Sequence, residues 1–233
     1  KFFKFQLTMN YIKQYHHEHV GMIKEIDDKK LQQFINQLPF SLTKDQSTAV
    51  EEIITDLKSD KLMYRFVQGD VGSGKTVVGA IGLYANYLAG YQGAMMAPTE
   101  ILALQHYQSL THLFKNTDVK IGLLTGHLSQ KEKNELYLQI AQGDIDLIVG
   151  THALFQEKVQ YQNLGLVITD EQHRFGVEQR KALKDKGQKV DFLVMSATPI
   201  PRTLAMSLYG DMDVSTIQSM PRGRKRIITE YVP

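Results

Sequence analysis

Apolar residues recur at Phe5, Met9 and Ile12, and again at Leu31, Phe34, Ile35 and Leu38. These spacings keep one face of a helix apolar until Pro39 interrupts the pattern. Two helices are therefore expected in a linker segment over residues 1–38, ahead of a main domain over residues 39–233. After Pro39 the period changes. Tyr64 to Gln68, Gly93 to Ala97, Val119 to Leu124, Asp146 to Gly150, Leu164 to Thr169 and Asp191 to Ser196 are short runs nearly continuous in Val, Ile, Leu, Phe and Met, as strands buried on both faces require. Helical segments such as Thr76 to Leu88 and Glu100 to Phe114 fall between them. This alternation predicts an α/β domain with a mostly parallel sheet and crossover helices.

Composition changes the picture only at its edges. A chain of 233 residues, 42% hydrophobic, can bury a full core. With 27 Lys and Arg against 25 Asp and Glu, the net charge of +2 gives only faint support for a polyanionic partner. The absence of cysteine excludes disulfides and thiolate metal sites and fits a reducing interior. No apolar stretch reaches the roughly 18 residues that span a bilayer. The opening Lys1-Phe2-Phe3-Lys4 lacks the apolar block of a signal peptide. A soluble, cytoplasmic protein without membrane contact is expected. His16, His17 and His19 invite a metal reading, but only His16 and His19 approach one helix face and no carboxylate or thiol cluster joins them, so a solvated face is expected.

The candidate chemistry begins at Gly69-Asp70-Val71-Gly72-Ser73-Gly74-Lys75-Thr76, which fits the G-x-x-x-x-G-K-[ST] phosphate loop at every fixed position, between an expected strand and an expected helix. Glycines at these places let backbone N–H groups turn inward around a β-phosphate, and the helix beginning near Lys75 adds the positive end of its dipole. Lys75 is expected to reach the β- and γ-phosphates, and the Thr76 hydroxyl to ligate magnesium. The strand Leu164 to Thr169 leads directly into Asp170-Glu171. Asp170 is the expected second magnesium ligand, and Glu171 the group that orients or deprotonates the attacking water. ATP with Mg2+ is the expected cofactor pair.

Asp170-Glu171-Gln172-His173 resembles a variant of the DEAH box of superfamily two helicases, and Ser196-Ala197-Thr198 resembles the motif that couples hydrolysis to nucleic-acid binding in them. Pro98 and Thr99, Thr125 and Gly126, and Thr151 and His152 fill the places where such helicases touch the sugar-phosphate backbone. Two longer stretches narrow the resemblance. Asp170 to Val177 followed by Gln179-Arg180, and Ser196-Ala197-Thr198-Pro199-Ile200-Pro201-Arg202-Thr203, are similar to the RecG family of bacterial ATP-dependent DNA helicases, over nearly the whole chain. The transcription-repair coupling factor shares Pro-Ile-Pro-Arg-Thr but usually carries Glu and Gln where this chain has Gln172 and His173.

The resemblance implies a RecA-like P-loop NTPase lobe that uses ATP to remodel branched DNA such as forks and Holliday junctions, in a monomer. It also implies a DNA-binding wedge domain upstream and a second RecA-like lobe downstream in the same protein. Because the chain opens on Lys1 and the last motor motifs are missing, it reads as the first lobe of a longer protein, with the basic run Arg222 to Arg226 leading into the second. His173 would relay nucleotide state to Ser196 and Thr198, beside the plainer reading of a core histidine. Arg174, Arg180 and Arg202 are candidate phosphate contacts or solvated charges, with Arg202 ranked first.

Phe40-Ser41-Leu42-Thr43-Lys44-Asp45-Gln46 resembles the adenine-recognising Q motif, in which Phe40 and Gln46 would meet the base. Thr43-x-x-Gln46 is also a capping box for the helix carrying Val50, Ile53, Ile54 and Leu57, and both readings stand. Ser129-x-x-Glu132 has the same form with no motif around it and is read as a cap alone. Two rival functions remain: duplex translocation of the coupling-factor type, and a nucleotide-gated binding module. Glu171 argues against the second, since a switch has no need of a placed carboxylate.

Overall fold

The computed structural model describes residues 21–170, 189–197 and 212–219. Two helices lead, α1 (Asp28–Asn36) and α2 (Lys44–Leu57). They are followed by β1 (Tyr64–Gly69), α3 (Lys75–Leu88), β2 (Gln92–Met96), α4 (Glu100–Leu113), β3 (Ile121–Leu124), α5 (Gln130–Gln142) and β4 (Leu147–Gly150). A 3-10 turn (His152–Phe155), β5 (Leu164–Asp170), β6 (Asp191–Ser196) and β7 (Asp213–Ile217) complete the order. The strands make one seven-stranded sheet, β3-β4-β2-β5-β6-β1-β7. Every strand pair in it is parallel, so the expected mostly parallel sheet is parallel throughout the described residues.

Parallel strands covered on both faces need two apolar layers, and the alternating side chains supply them. Val67, Met95, Leu166, Ile168, Leu193 and Met195 face α2, α3 and α4. Phe66, Ala94, Ile148, Val167, Phe192 and Val194 face the other way, toward Ile140 of α5 and Leu154 of the 3-10 turn. Capping sets the helix starts. Both capping boxes close as their spacing predicts, Thr43 with Gln46 on α2 and Ser129 with Glu132 on α5, while Thr99 caps α4 by accepting from the Leu102 N–H.

The segment expected as a linker shares this core. Leu31 and Phe34 of α1 are buried, and the Phe34 ring lies 4.3 Å from Tyr84 and 5.3 Å from Phe114 between ring centroids. Further upstream Lys24, only 2% exposed, pairs with Asp191 and donates to the Gly165 carbonyl at 3.1 Å. Asp191 also accepts from the Met63 N–H at 2.7 Å. These contacts fix the entering chain to the amino ends of β1, β5 and β6. The first expected helix, Phe5 to His19, lies outside the described residues.

β7 is the element that the hydrophobic pattern does not predict. Asp213-Val214-Ser215-Thr216-Ile217 offers only two apolar residues, yet it pairs along β1 from Arg65 opposite Asp213 to Gly69 opposite Ile217. Arg65 ties this edge to α2, donating to Asp56 at 2.7 Å, Glu52 at 3.1 Å and Ser215 at 3.0 Å.

Candidate functional site

In a parallel α/β sheet, ligands sit beyond the carboxyl ends of the strands. Three adjacent strands there carry the expected phosphate loop and its expected partners: Gly69 ends β1, Asp170 ends β5 and Ser196 ends β6. In the β1–β6 register Ser196 faces Gln68, and in the β5–β6 register Asp170 faces Met195, so the three ends are level. Gly74 is the N-cap of α3 in the left-handed conformation, at φ 84°, and no side chain caps the helix. Backbone N–H groups at this helix start suit a ligand of negative charge.

The loop is packed where glycine is required. A Cβ on Gly74 would strike the Gln46 amide nitrogen, and one on Gly69 would meet Ser73 Oγ at 2.5 Å and the Ile217 carbonyl at 3.0 Å. Lys75 folds its ammonium onto the loop, donating to the carbonyls of Gly69 at 2.7 Å and Asp70 at 2.9 Å. Burial pushes the Lys75 ammonium below the ordinary lysine range, and the carboxylates of Asp170 and Asp70 pull it part of the way back. Ser73 Oγ is buried without a hydrogen-bond partner among the described residues. A buried hydroxyl in that state fits a loop built to take phosphate oxygens.

Gln46 spends its side chain on protein groups. Its Oε1 accepts from the Thr43 N–H at 2.8 Å, completing the cap, and its Nε2 donates to the Ser73 carbonyl at 2.7 Å. The residue is 2% exposed. Phe40, by contrast, is 42% exposed beside an open hollow lined by Leu38, Pro39, Leu42 and Ser47. The neighbouring Asp45 accepts from the Gln218 N–H at 3.0 Å and the Ser219 N–H at 2.7 Å, and from the Ser219 hydroxyl. The Ser219 hydroxyl and N–H, then the Gln218 N–H, hold the Asp45 carboxyl below the usual carboxylate range. Two consecutive residues of α2 thus grip the phosphate loop on one side and the chain leaving β7 on the other.

The remaining half of the same edge carries the residues expected to meet a sugar-phosphate backbone. Pro98 and Thr99 follow β2, Thr125 and Gly126 follow β3, and Thr151 and His152 follow β4; these three strands are neighbours in the sheet. Pro98, Thr99, Gly126 and His152 are exposed, Thr125 is half-buried and Thr151 is buried. Glu100 binds the first two segments together, accepting from the Gly126 N–H and lying 3.0 Å from His127 Nε2. Lys133 donates to the Gly126 carbonyl at 3.0 Å.

The motif reading missed three contributors. His106 of α4 stands 2.5 Å from Asp170, Glu100 joins two segments, and Asp45 holds the exit of β7. For His106 a signal existed, a polar residue in the apolar stripe between Ala103 and Leu110. Ala197 follows the end of β6 at intermediate burial. Glu171, Gln172, His173, Thr198 and Arg202 lie outside the described residues, as do Arg174, Arg180 and the run from Arg222 to Arg226.

The family model described as DEAD/DEAH box helicase matches residues 43–207. The ATP-dependent DNA helicase RecG of Bacillus subtilis (strain 168) is 54% identical over 233 residues, covering 100% of this chain and 34% of that protein. RecG of Thermotoga maritima is 50% identical over 231 residues, 99% of this chain and 30% of that one. A solved structure of RecG bound to a three-way DNA junction matches with a TM-score of 0.85 and 48% identity, over 97% of this chain and 30% of that chain. The chain therefore spans about a third of the length of these relatives.

Proposed function

This chain belongs to the DEAD/DEAH box helicase family, and on that premise we propose that it is the nucleotide-binding lobe of an ATP-dependent DNA helicase that remodels branched DNA. One observation carries the proposal. A single sheet edge is divided between a phosphate loop with its acid, on β1, β5 and β6, and three loops that suit a nucleic-acid backbone, on β2, β3 and β4. An ATPase needs only the first half. RecG relatives, one of them solved on a three-way DNA junction, point to forks and junctions as the substrate class.

The residues divide the work accordingly. Lys75 would exchange its bonds to Gly69 and Asp70 for β- and γ-phosphate oxygens, and the start of α3 would take the β-phosphate on backbone N–H groups. Thr76 and Asp170 offer a hydroxyl and a carboxylate, a donor set for a hard divalent cation. Magnesium, when bound there with the nucleotide, neutralises charge on the phosphoryl oxygens. Glu171, next in the chain, would orient the attacking water and accept its proton. Phe40 would stack on adenine. Gln46 would meet the base edge with the amide N–H and lone pair that the cap and loop leave over. Ser196, Ala197 and Thr198, with Gln172 and His173, would carry the nucleotide state toward DNA.

Steady-state ATP hydrolysis by the intact protein, with forked and with linear duplex DNA at equal concentration, tests the reading. Greater stimulation by the fork is expected. Equal stimulation by both would place the protein with duplex translocases of the coupling-factor type, and no hydrolysis with either would leave a nucleotide-gated binding module.

A further inference from the structure

His106 occupies a position that packing alone would give to an apolar residue. It lies on the inner stripe of α4 between Ala103 and Leu110, both fully buried, and is itself 9% exposed. An imidazole in such a stripe costs free energy unless its nitrogens are bonded. Its Nε2 lies 2.5 Å from Asp170 Oδ2, with both side chains largely buried. A carboxylate is an acceptor, so the Nε2 proton donates to Oδ2, and that oxygen is committed to the protein. Oδ1 then remains for a ligand.

We propose that His106 is a positioning residue for Asp170, fixing the carboxylate so that one oxygen stays on the imidazole and the other is presented to the divalent cation that accompanies the nucleotide. This rests on the reading of Asp170 as a metal-holding acid. The physical case is that a carboxylate at a strand end has rotational freedom about χ1 and χ2. A bond from a buried ring on a separate helix removes that freedom before the cation arrives. Groups that orient metal ligands in this way change metal affinity by about 10- to 100-fold when replaced.

The test is Mn2+ binding to the ADP complex of the intact protein, followed by electron paramagnetic resonance, alongside ADP affinity in metal-free buffer. His106→Leu is expected to weaken Mn2+ binding by about tenfold or more and to leave metal-free ADP affinity as it was. His106→Gln, whose amide restores a donor on a long arm, should recover most of the loss. His106→Asn, with the same amide on an arm too short to reach, should not. A purely structural role would lower both affinities by the same factor, and that result overturns the proposal, as does unchanged Mn2+ binding in His106→Leu. If the leucine variant does not fold, the glutamine and asparagine variants decide, and equal Mn2+ affinity in the two overturns the proposal. Asp170→Asn separates the two levels of the argument. If it weakens Mn2+ binding while the His106 variants do not, only the positioning role falls. If it too has no effect, the metal-holding role of Asp170 falls and takes this inference with it.

Discussion

The side-chain amide of Gln46 donates to the carbonyl oxygen of Ser73 at 2.7 Å, so the first turn of α2 is bonded directly to the phosphate loop. The same amide closes the capping box through its oxygen. Two substitutions divide these duties. Gln46→Glu keeps an acceptor for the Thr43 N–H and loses the donor to Ser73, whereas Gln46→Ala loses both. Gln46→Ala should cost about 1–3 kcal/mol of stability, since it removes the side-chain half of the capping box and takes the donor away from the buried Ser73 carbonyl. Denaturant titration measures this. Gln46→Glu should retain more of that stability while binding nucleotide more weakly. If Gln46 also meets adenine, both variants lose preference for ATP over GTP; unchanged preference removes Gln46 from base recognition.

Lys75→Ala should weaken ATP binding by about 10- to 100-fold, the equivalent of a charged hydrogen bond of about 1.5–3 kcal/mol. Titration with a fluorescent ATP analogue reads it, and unchanged affinity would sink the phosphate-loop assignment. Glu171→Gln should behave differently, keeping ATP bound and lowering turnover by about 10²- to 10⁴-fold, the usual contribution of a general base. Normal steady-state hydrolysis in that variant would exclude Glu171 from the water-activating role.

Lys24→Met leaves Asp191 buried without its cation and should cost about 3–5 kcal/mol, whereas Lys24→Met with Asp191→Asn should recover much of the loss. The pH dependence has a definite sign. Burial pushes the Asp191 carboxyl above the ordinary aspartate range, an effect that Lys24 opposes. Without Lys24 the folded protein holds the Asp191 proton more tightly than the unfolded chain does. Stability is then retained at low pH and lost as pH rises through the folded value. The deficit of Lys24→Met should be smaller at pH 5 than at pH 8 in urea titrations, and a constant deficit would contradict an uncompensated Asp191.

Glu100→Ala offers a test in which two arguments predict opposite signs. Removing a carboxylate beside the surface proposed for DNA should by charge alone strengthen DNA binding. Releasing Gly126 from Glu100 should instead loosen the segment after β3 and weaken binding, by about fivefold or near 1 kcal/mol. Fluorescence anisotropy with a labelled fork at fixed salt decides. Weaker binding supports the positioning role, and stronger binding leaves only the charge effect.

The strands of the sheet interior were legible because burial on both faces makes them continuous apolar runs, and the phosphate loop because its backbone geometry admits few residues at its fixed positions. β7 was not, since an edge strand with Ser215 and Thr216 needs little apolar surface; its only sequence signal was β-branched Val214, Thr216 and Ile217. Lys24 was illegible for a different reason. A lysine normally signals solvent, and only the fold brings Asp191, distant in sequence, close enough to hold it. Asp45 and Glu100 read as ordinary charges in the first turns of helices, and each holds a backbone N–H group that no residue pattern announces.

Helix α4 begins on Thr99, at the surface proposed for DNA, and carries His106 against Asp170 about 10 Å further along its axis. Two ligands that meet the same helix are subject to thermodynamic linkage. Any factor by which a DNA strand at Thr99 changes the affinity for a cation at Asp170 must return, undiminished, as the factor by which that cation changes the affinity for DNA. The coupling can therefore be measured from either end. A Mn2+ titration with and without forked DNA, and a DNA titration with and without Mn2+, must give one and the same number.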